Sequence, residues 1–210
     1  MNAEKNQIFI RISHVIEETL VLGPGCRYVI WTQGCDRRCP GCINPAGQNK
    51  ESGEKVAVSK LLQNIACHKN IDGVTISGGE PFLQLSALEK LVSGIKNDMG
   101  LDIMIYTGYC LEELFQYFDE ERVQNILACT DLLVDGEYKE ELDHGEMYRG
   151  SENQKIYSPS GKYQKEIETI EQSKNRDVEF DCSEGEIFMV GIPPKGFYQE
   201  LLDRLIKANN

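Results

Sequence analysis

Residues 34–42 read Gly-Cys-Asp-Arg-Arg-Cys-Pro-Gly-Cys and hold three cysteines, Cys35, Cys39 and Cys42, at a C-x3-C-x2-C spacing. The loop directly follows the apolar run 28–31, which has the composition of a buried strand. Cysteine thiolates hold four-iron clusters, so three thiolates leave one iron without a protein ligand. An open coordination position lets a metal site perform chemistry rather than only stabilise a fold. The motif therefore predicts a reactive iron–sulfur cluster at the end of a strand.

Three other interpretations of these cysteines remain open at this point. A structural zinc site needs a fourth ligand, and His68 is too distant along the chain for the usual spacing. A disulfide fits the compact triplet less well than a metal does. An electron-transfer cluster with four thiolates would have to recruit Cys26 or Cys67.

Apolar runs alternate with stretches of helical spacing along most of the chain. The predicted strands are 28–31, 73–77, 103–106 and 132–134, and the predicted helices are 58–67, 85–95, 111–118 and 123–129. This alternation with short connections indicates a parallel α/β sheet. Outside this alternating region, we expect a strand or hairpin at 8–21 and a surface helix or loop at 163–177. We also expect a late strand at 186–190 and a closing helix at 198–206.

Polar or glycine-rich residues follow each of the predicted parallel strands. They are Cys35, the Gly78-Gly79-Glu80 segment, Thr107 with Gly108, and Asp135 with Gly136. Ligands of parallel α/β folds bind at the carboxyl ends of the strands. We therefore expect these four groups to meet at one rim of the sheet.

Size and charge narrow the classes of function. The 210 residues fit one domain, and the formal net charge of −12 disfavours nonspecific binding to nucleic acid. No apolar run approaches the ~20 residues of a membrane span, and residues 1–7 are too polar for a signal peptide. The sequence thus predicts a cytoplasmic protein without a membrane or nucleic-acid partner. The histidines, His14, His68 and His144, have no motif around them and are expected to be structural or exposed.

The motifs together resemble a known superfamily. They are Gly23-Pro24-Gly25 with Arg27, Gln33-Gly34-Cys35, Cys39-Pro40-Gly41-Cys42 with Asn44-Pro45, Ser77-Gly78-Gly79-Glu80-Pro81, Tyr106-Thr107-Gly108-Tyr109, Val134-Asp135-Gly136 and Arg149-Gly150-Ser151-x-Asn153-Gln154. The cysteine motif with the Gly-Gly-Glu segment resembles the radical S-adenosylmethionine superfamily. The whole series more closely resembles the activating proteins of anaerobic, class III ribonucleotide reductases.

The resemblance implies a cofactor pair and a reaction. Cys35, Cys39 and Cys42 are expected to hold a [4Fe–4S] cluster whose open iron is chelated by S-adenosyl-L-methionine. An electron from a flavodoxin- or ferredoxin-type reductant then releases methionine and a 5′-deoxyadenosyl radical. That radical is expected to generate a glycyl radical on a protein substrate such as anaerobic ribonucleotide reductase. One alternative is a radical enzyme that modifies a peptide or small molecule directly, and another is an iron–sulfur electron carrier or sensor.

The resemblance also implies which residues contact the cofactor, and no catalytic residue is expected beyond the cluster and the cofactor themselves. The expected cofactor-binding residues are Gly78, Gly79, Glu80, Tyr106, Thr107, Gly108, Asp135 and Asn153. The two glycines would admit the methionyl group, because neither has a Cβ. Tyr106 is the nearest ring for the adenine, since this chain has Gly41 where many members have an aromatic residue. Asp135 is equally well explained as a turn or helix-capping carboxylate.

For the fold, we expect an incomplete (β/α) barrel of about five or six parallel strands, of the radical SAM type. There are too few strand patterns for an eight-stranded barrel, which takes ~250 residues. Residues 1–210 are expected to form a single domain. Members of the family are commonly shorter, so 162–210 is expected to be a C-terminal extension packed on that domain.

Overall fold

The computed structural model describes residues 7–182 and 187–208, which are built around a seven-stranded mixed sheet. Its strands, in the order β3-β1-β2-β4-β5-β6-β7, are β1 Phe9–Thr19, β2 Arg27–Thr32, β3 Glu54–Ala57, β4 Gly73–Gly78, β5 Asp102–Tyr106, β6 Leu132–Asp135 and β7 Lys155–Tyr157. A separate antiparallel hairpin consists of β8 Val178–Asp181 and β9 Phe188–Gly191. The α/β class expected from the sequence is confirmed.

Four neighbouring strands, β2, β4, β5 and β6, pair in parallel and form the centre of the sheet. They are apolar on both faces, which is typical of a parallel sheet covered on two sides. Their carboxyl ends lie at one edge, so the segments that follow β2, β4, β5 and β6 meet there.

The expected number of parallel strands, five or six, is wrong. β1 and β3 pair antiparallel on one side of the parallel centre, and β7 pairs antiparallel with β6 on the other. For β1, the physical reason lies in its connection to β2. A parallel neighbour needs a crossover of a dozen or more residues, whereas only residues 20–26 connect β1 to β2.

The helices are α1 Val58–Cys67, α2 Leu85–Gly94, α3 Leu111–Tyr117, α4 Glu120–Cys129, α5 Ile167–Gln172 and α6 Phe197–Ala208. The first four contribute apolar side chains to one large core on a single face of the sheet. Ile65 of α1, Leu88 of α2 and Ile126 of α4 are fully buried there. These helices match the predicted segments closely, because each has apolar residues at helical spacing.

The opposite face of the sheet carries no helix from this set and is covered by the C-terminal part of the chain. Val190 of β9 packs with Val29 and Trp31 of β2, and Ile170 of α5 packs with Met104 of β5. The rings of Phe188 and Trp31 meet edge to face at a centroid distance of 5.4 Å. Residues 21–22 and 147–148 also contribute apolar side chains there, so the second layer of the sheet is built mainly from residues beyond 157.

The expected late strand 186–190 overlaps β9, although residue 186 itself falls outside the described residues. The expected surface segment 163–177 contains the short helix α5. The short strands β3, β7 and β8 were not predicted. Within 7–182 and 187–208, no helix has the length and apolarity needed to cross a bilayer.

Candidate functional site

The three motif cysteines lie on one irregular loop that begins where β2 ends, and all three are partly buried. The loop closes on itself, because Gly34 N–H donates to the Gly47 carbonyl at 2.7 Å and Cys35 N–H to the Gln48 carbonyl at 3.1 Å. Its far side is the 3-10 turn Pro45–Gln48, capped by the Asn44 side chain. The cysteines are thus held in a closed loop at the carboxyl edge of the sheet.

The pKa values of two thiols on this loop are raised, and the thiols affect one another. Burial raises the pKa of Cys35 and raises that of Cys39 to about 11, and in both cases the neighbouring motif cysteines contribute. In the described part of the chain, no three His, Cys, Asp or Glu side chains converge closely enough for a single metal ion. A [4Fe–4S] cluster does not need its ligands to converge on one ion, because each thiolate binds its own iron. Three partly buried thiols on one loop fit that donor set.

The two cysteines that the sequence offered as a fourth ligand, Cys26 and Cys67, lie far from the cysteine loop. Cys26 precedes β2 whereas Cys35 follows it, so the six residues of the strand, ~20 Å, separate them. Cys67 ends α1 beside His68, whose ring contacts Tyr28 near that same distant end of β2. The structure therefore excludes Cys26 and Cys67 as a fourth ligand beside the motif cysteines.

Gly78 and Gly79 lie at the end of β4 against the backbone of the cysteine loop and of β2. A Cβ on Gly79 would lie 2.3 Å from the Gly34 carbonyl oxygen and 2.8 Å from that of Gly47. A Cβ on Gly78, whose φ is 106°, would lie 2.4 Å from both the N and O atoms of Thr32. Gly79 is therefore required by the close approach of the cysteine loop and Gly78 by that of β2, a reason that sequence reasoning missed.

The Glu80 carboxylate is buried and ties two strand ends together. Its Oε1 accepts hydrogen bonds from Phe82 N–H at 3.0 Å and from the Thr107 hydroxyl at 2.9 Å. Its Oε2 accepts from Gly108 N–H at 2.8 Å. Burial nevertheless raises the pKa of Glu80 to about 7, against the opposing effect of these donors. The structure thus brings Glu80, Thr107 and Gly108 together, as the rim hypothesis expected.

A second contact clamps the cysteine loop to β5 through residues that were not predicted. The Tyr109 hydroxyl donates to Asp36 at 3.0 Å, and the Arg37 guanidinium lies 4.0 Å from the centre of the Tyr109 ring. Arg37 also forms an ion pair with Glu113 of α3. The signal for Tyr109 was its place in the Tyr106–Tyr109 motif, whereas nothing in the sequence marked Glu113.

Asp135 is buried at the end of β6, and backbone donors occupy both of its carboxylate oxygens. Oδ2 accepts from Leu111 N–H at 2.7 Å, and Oδ1 accepts from Lys155 N–H at 3.2 Å. Burial raises the pKa of Asp135. The side chain thus links the start of α3 to β7, which agrees with the structural interpretation of this residue.

Two of the expected cofactor residues carry a buried polar atom without a partner among the described residues. They are the Tyr106 hydroxyl and the Asn153 Oδ1, while Asn153 Nδ2 donates to the Glu137 carbonyl at 2.8 Å. Burial raises the pKa of Tyr106. Unpartnered buried polar atoms are rare and call for an explanation such as a ligand. These atoms fit a site that receives a polar cofactor.

The segment 137–154 connects the cysteine loop to the C-terminal part of the chain. A Cβ on Gly41 would lie 3.2 Å from both the Glu140 carboxylate and the Tyr138 ring, so this segment lies against the cysteine loop. On its other side it holds Arg176, whose side chain is only 3% exposed. The Arg176 guanidinium lies 2.9 Å from Asp143 and donates to the Arg149 carbonyl at 2.7 Å.

Comparison with known proteins gives consistent matches. A family model described as a 4Fe-4S single cluster domain matches residues 21–157. The anaerobic ribonucleoside-triphosphate reductase-activating protein of Enterobacteria phage T4 is 33% identical over 144 residues, which cover 66% of this chain and 87% of that protein. Its namesake from Vibrio cholerae is 35% identical over 146 residues, covering 66% and 91%. The pyruvate formate-lyase-activating enzyme of Staphylococcus aureus is 42% identical over 82 residues, covering 36% and 33%.

Proposed function

The chain belongs to the 4Fe-4S single cluster domain family and, within it, to the anaerobic ribonucleoside-triphosphate reductase-activating proteins, and we propose that it generates a glycyl radical on such a reductase. The observation that carries this proposal is the closed loop after β2, which presents three partly buried thiols at the carboxyl edge of a parallel sheet. The match over about nine tenths of the Vibrio cholerae relative supports it.

Cys35, Cys39 and Cys42 would hold the [4Fe–4S] cluster and leave one iron for S-adenosyl-L-methionine. When bound, this pair supplies the radical chemistry, in which an electron cleaves the cofactor to methionine and a 5′-deoxyadenosyl radical. Loading requires the thiols to lose their protons, because only thiolates bind iron. Since burial raises the pKa of Cys39 to about 11, loading should release protons and should be favoured by higher pH.

The proposed cofactor residues divide into two roles. Tyr106 and Asn153 have unpartnered buried polar atoms and are proposed to contact the cofactor directly. Gly78, Gly79, Glu80, Thr107, Gly108 and Asp135 are proposed to shape its site, since they fix the cysteine loop and the strand ends around it. Their contribution would be the position of the cofactor and the exclusion of water from it.

We further propose that the sheet forms the wall of an incomplete barrel and that residues 1–210 are one domain with 162–210 as an extension packed on it. The packing of Val190 and Ile170 on the face of the sheet that lacks helices α1–α4 supports this. A flavodoxin- or ferredoxin-type protein is the proposed electron donor.

The source of the abstracted hydrogen tests the function. We expect a reductase prepared with α-deuterated glycine to give 5′-deoxyadenosine that carries deuterium when the loaded, reduced protein acts on it. Reductase with ordinary glycine and otherwise identical reagents is the control. Unlabelled 5′-deoxyadenosine from both preparations would show that the hydrogen comes from another molecule, as expected for a radical enzyme acting on a peptide or small molecule.

A further inference from the structure

Strand β1 is longer than the strand that pairs with its outer side. β1 pairs with β2 from Ile12 to Thr19, but β3 pairs only with Phe9 to Ile12. Within the described residues, no strand pairs with the outer side of β1 at 13–19. An unpaired edge presents backbone N–H and C=O groups that can accept another strand. The second half of β1 is therefore a site where an extended chain can add to the sheet.

A cavity of about 750 Å³ lies along this edge, which we call the β1 groove. Helix α1 forms one wall with Lys60 and Asn64, and the hairpin β8–β9 forms the other with Phe180 and Val190. Val15 and Leu61 are among the apolar side chains between the walls. The cavity has the volume of a typical ligand site and can receive side chains from an added strand.

The charge of the β1 groove selects the kind of chain that it accepts. Five carboxylates line it, those of Glu17, Glu18, Glu54, Glu179 and Asp181, against the single ammonium of Lys60. Glu179 already accepts from Thr19 and from Leu20 N–H. Glu17 and Glu18 have side chains 58% and 50% exposed, and the His68 ring lies 3.6 Å from the Glu17 carboxylate and 4.0 Å from that of Glu18. Cationic side chains would complement this surface.

One buried polar group at the β1 groove also lacks a partner. Tyr28 lines the cavity and is fully buried, yet its hydroxyl has no hydrogen-bond partner among the described residues. Burial and the nearby Glu17 raise the pKa of Tyr28 to about 12, so the hydroxyl keeps its proton. A backbone carbonyl of an added chain is the kind of acceptor that this hydroxyl needs.

Two of the elements that form the β1 groove lie outside the part of the chain that the family model matches, whereas helix α1 lies inside it. β1 and the hairpin β8–β9 both lie outside the matched residues 21–157. The groove also runs toward the end of β2 opposite to the cysteine loop, since Thr19 pairs with Arg27. A chain bound there would leave the carboxyl edge of the sheet accessible.

We propose that the β1 groove binds an extended segment of the protein substrate, which adds as a strand to residues 13–18 of β1. Its Lys or Arg side chains face Glu17 and Glu18, and its apolar side chains enter the cavity. Main-chain hydrogen bonds would hold the segment and the pockets for its side chains would give specificity, as in other cases of strand addition. The identity of this partner rests on the proposed function.

Two measurements on the cluster-loaded protein test whether the substrate binds at the β1 groove. In hydrogen exchange, adding the reductase should protect the amides of 13–18 in the unchanged protein and not in Glu17→Lys/Glu18→Lys. In the activation assay, this variant should raise the KM for reductase roughly tenfold, because it repels a cationic segment. Its release of 5′-deoxyadenosine without reductase should stay unchanged.

The matched control is Glu120→Lys/Glu121→Lys on α4, which makes the same change of charge on the helix-covered side. It should leave both the protection and the KM as in the unchanged protein. Absence of protection at 13–18, or an equal rise in KM for both variants, would overturn the proposal. If the reductase protects 13–18 but no glycyl radical forms, the result would support binding at the β1 groove and contradict the proposed function.

Discussion

The Glu80 carboxylate accepts a hydrogen bond from Gly108 N–H at 2.8 Å, and this bond joins the loop after β4 to the loop after β5. Glu80 N–H in turn donates to the Gly34 carbonyl at 2.8 Å, so the same residue also holds the start of the cysteine loop. One buried residue thus fixes three segments of the carboxyl edge relative to one another.

Glu80 should give the stability of the cluster-free protein a distinct pH dependence. Its pKa is about 7 in the folded chain against an ordinary value of 4.5, so the folded state binds the proton more tightly. The free energy of unfolding should therefore fall as the pH rises from 4.5 to 7, by about 3 kcal/mol from this group. Glu80→Gln should lose this part of the profile. Parallel urea unfolding curves of both proteins at several pH values would show it, and a constant difference between them across that range would contradict it.

Gly79→Ala should disturb the fold itself. The new Cβ would meet the backbone oxygens of Gly34 and Gly47, which cannot move without opening the cysteine loop. We expect a loss of about 3 kcal/mol in the free energy of unfolding. Gly108→Ala is the control, because the three atoms nearest to its Cβ belong to side chains, the closest being Arg37 Cγ at 3.0 Å, and its cost should be below about 1 kcal/mol. Equal stability of the two variants would refute the packing explanation for Gly79.

Some of this arrangement could be predicted from sequence and some could not. The parallel strands and helices α1–α4 were visible because each has a local apolar period, and the cysteine and glycine motifs follow strands directly. Strands β3, β7 and β8 have only three or four residues, and their pairing depends on distant partners. The reason for Gly79 is a long-range contact with Gly34. Arg176 lies in a polar stretch that resembles a surface segment, yet its burial depends on carbonyls from 146–150 and 193.

Arg176→Met should destabilise the protein by about 3 kcal/mol. The change leaves the carboxylate of Asp143 buried without its cation, which is the costly way to break a buried ion pair. Arg176→Lys keeps the charge but loses the fork of hydrogen bonds, so its cost should be smaller. Urea unfolding of both variants measures this order. A cost below 1 kcal/mol for Arg176→Met would show that Arg176 does not hold 143–150 in place.

Replacing any one of Cys35, Cys39 and Cys42 with Ser should abolish the proposed cluster. Anaerobic reconstitution of the unchanged protein should give about four irons per chain, and each of the three variants should fall well below that. Cys67→Ser is the matched control, since Cys67 is exposed at the end of α1 and should retain the full iron content. Full iron content together with cofactor cleavage in Cys39→Ser would exclude it as a ligand.

The most direct test of the central claim is electron paramagnetic resonance on the complete reaction. The reduced, cluster-loaded protein is mixed anaerobically with S-adenosyl-L-methionine and the anaerobic ribonucleotide reductase. The account predicts the doublet of a glycyl radical on the reductase, formed only when all three components and the reductant are present. Release of 5′-deoxyadenosine without any doublet would contradict the account and assign the radical to another substrate.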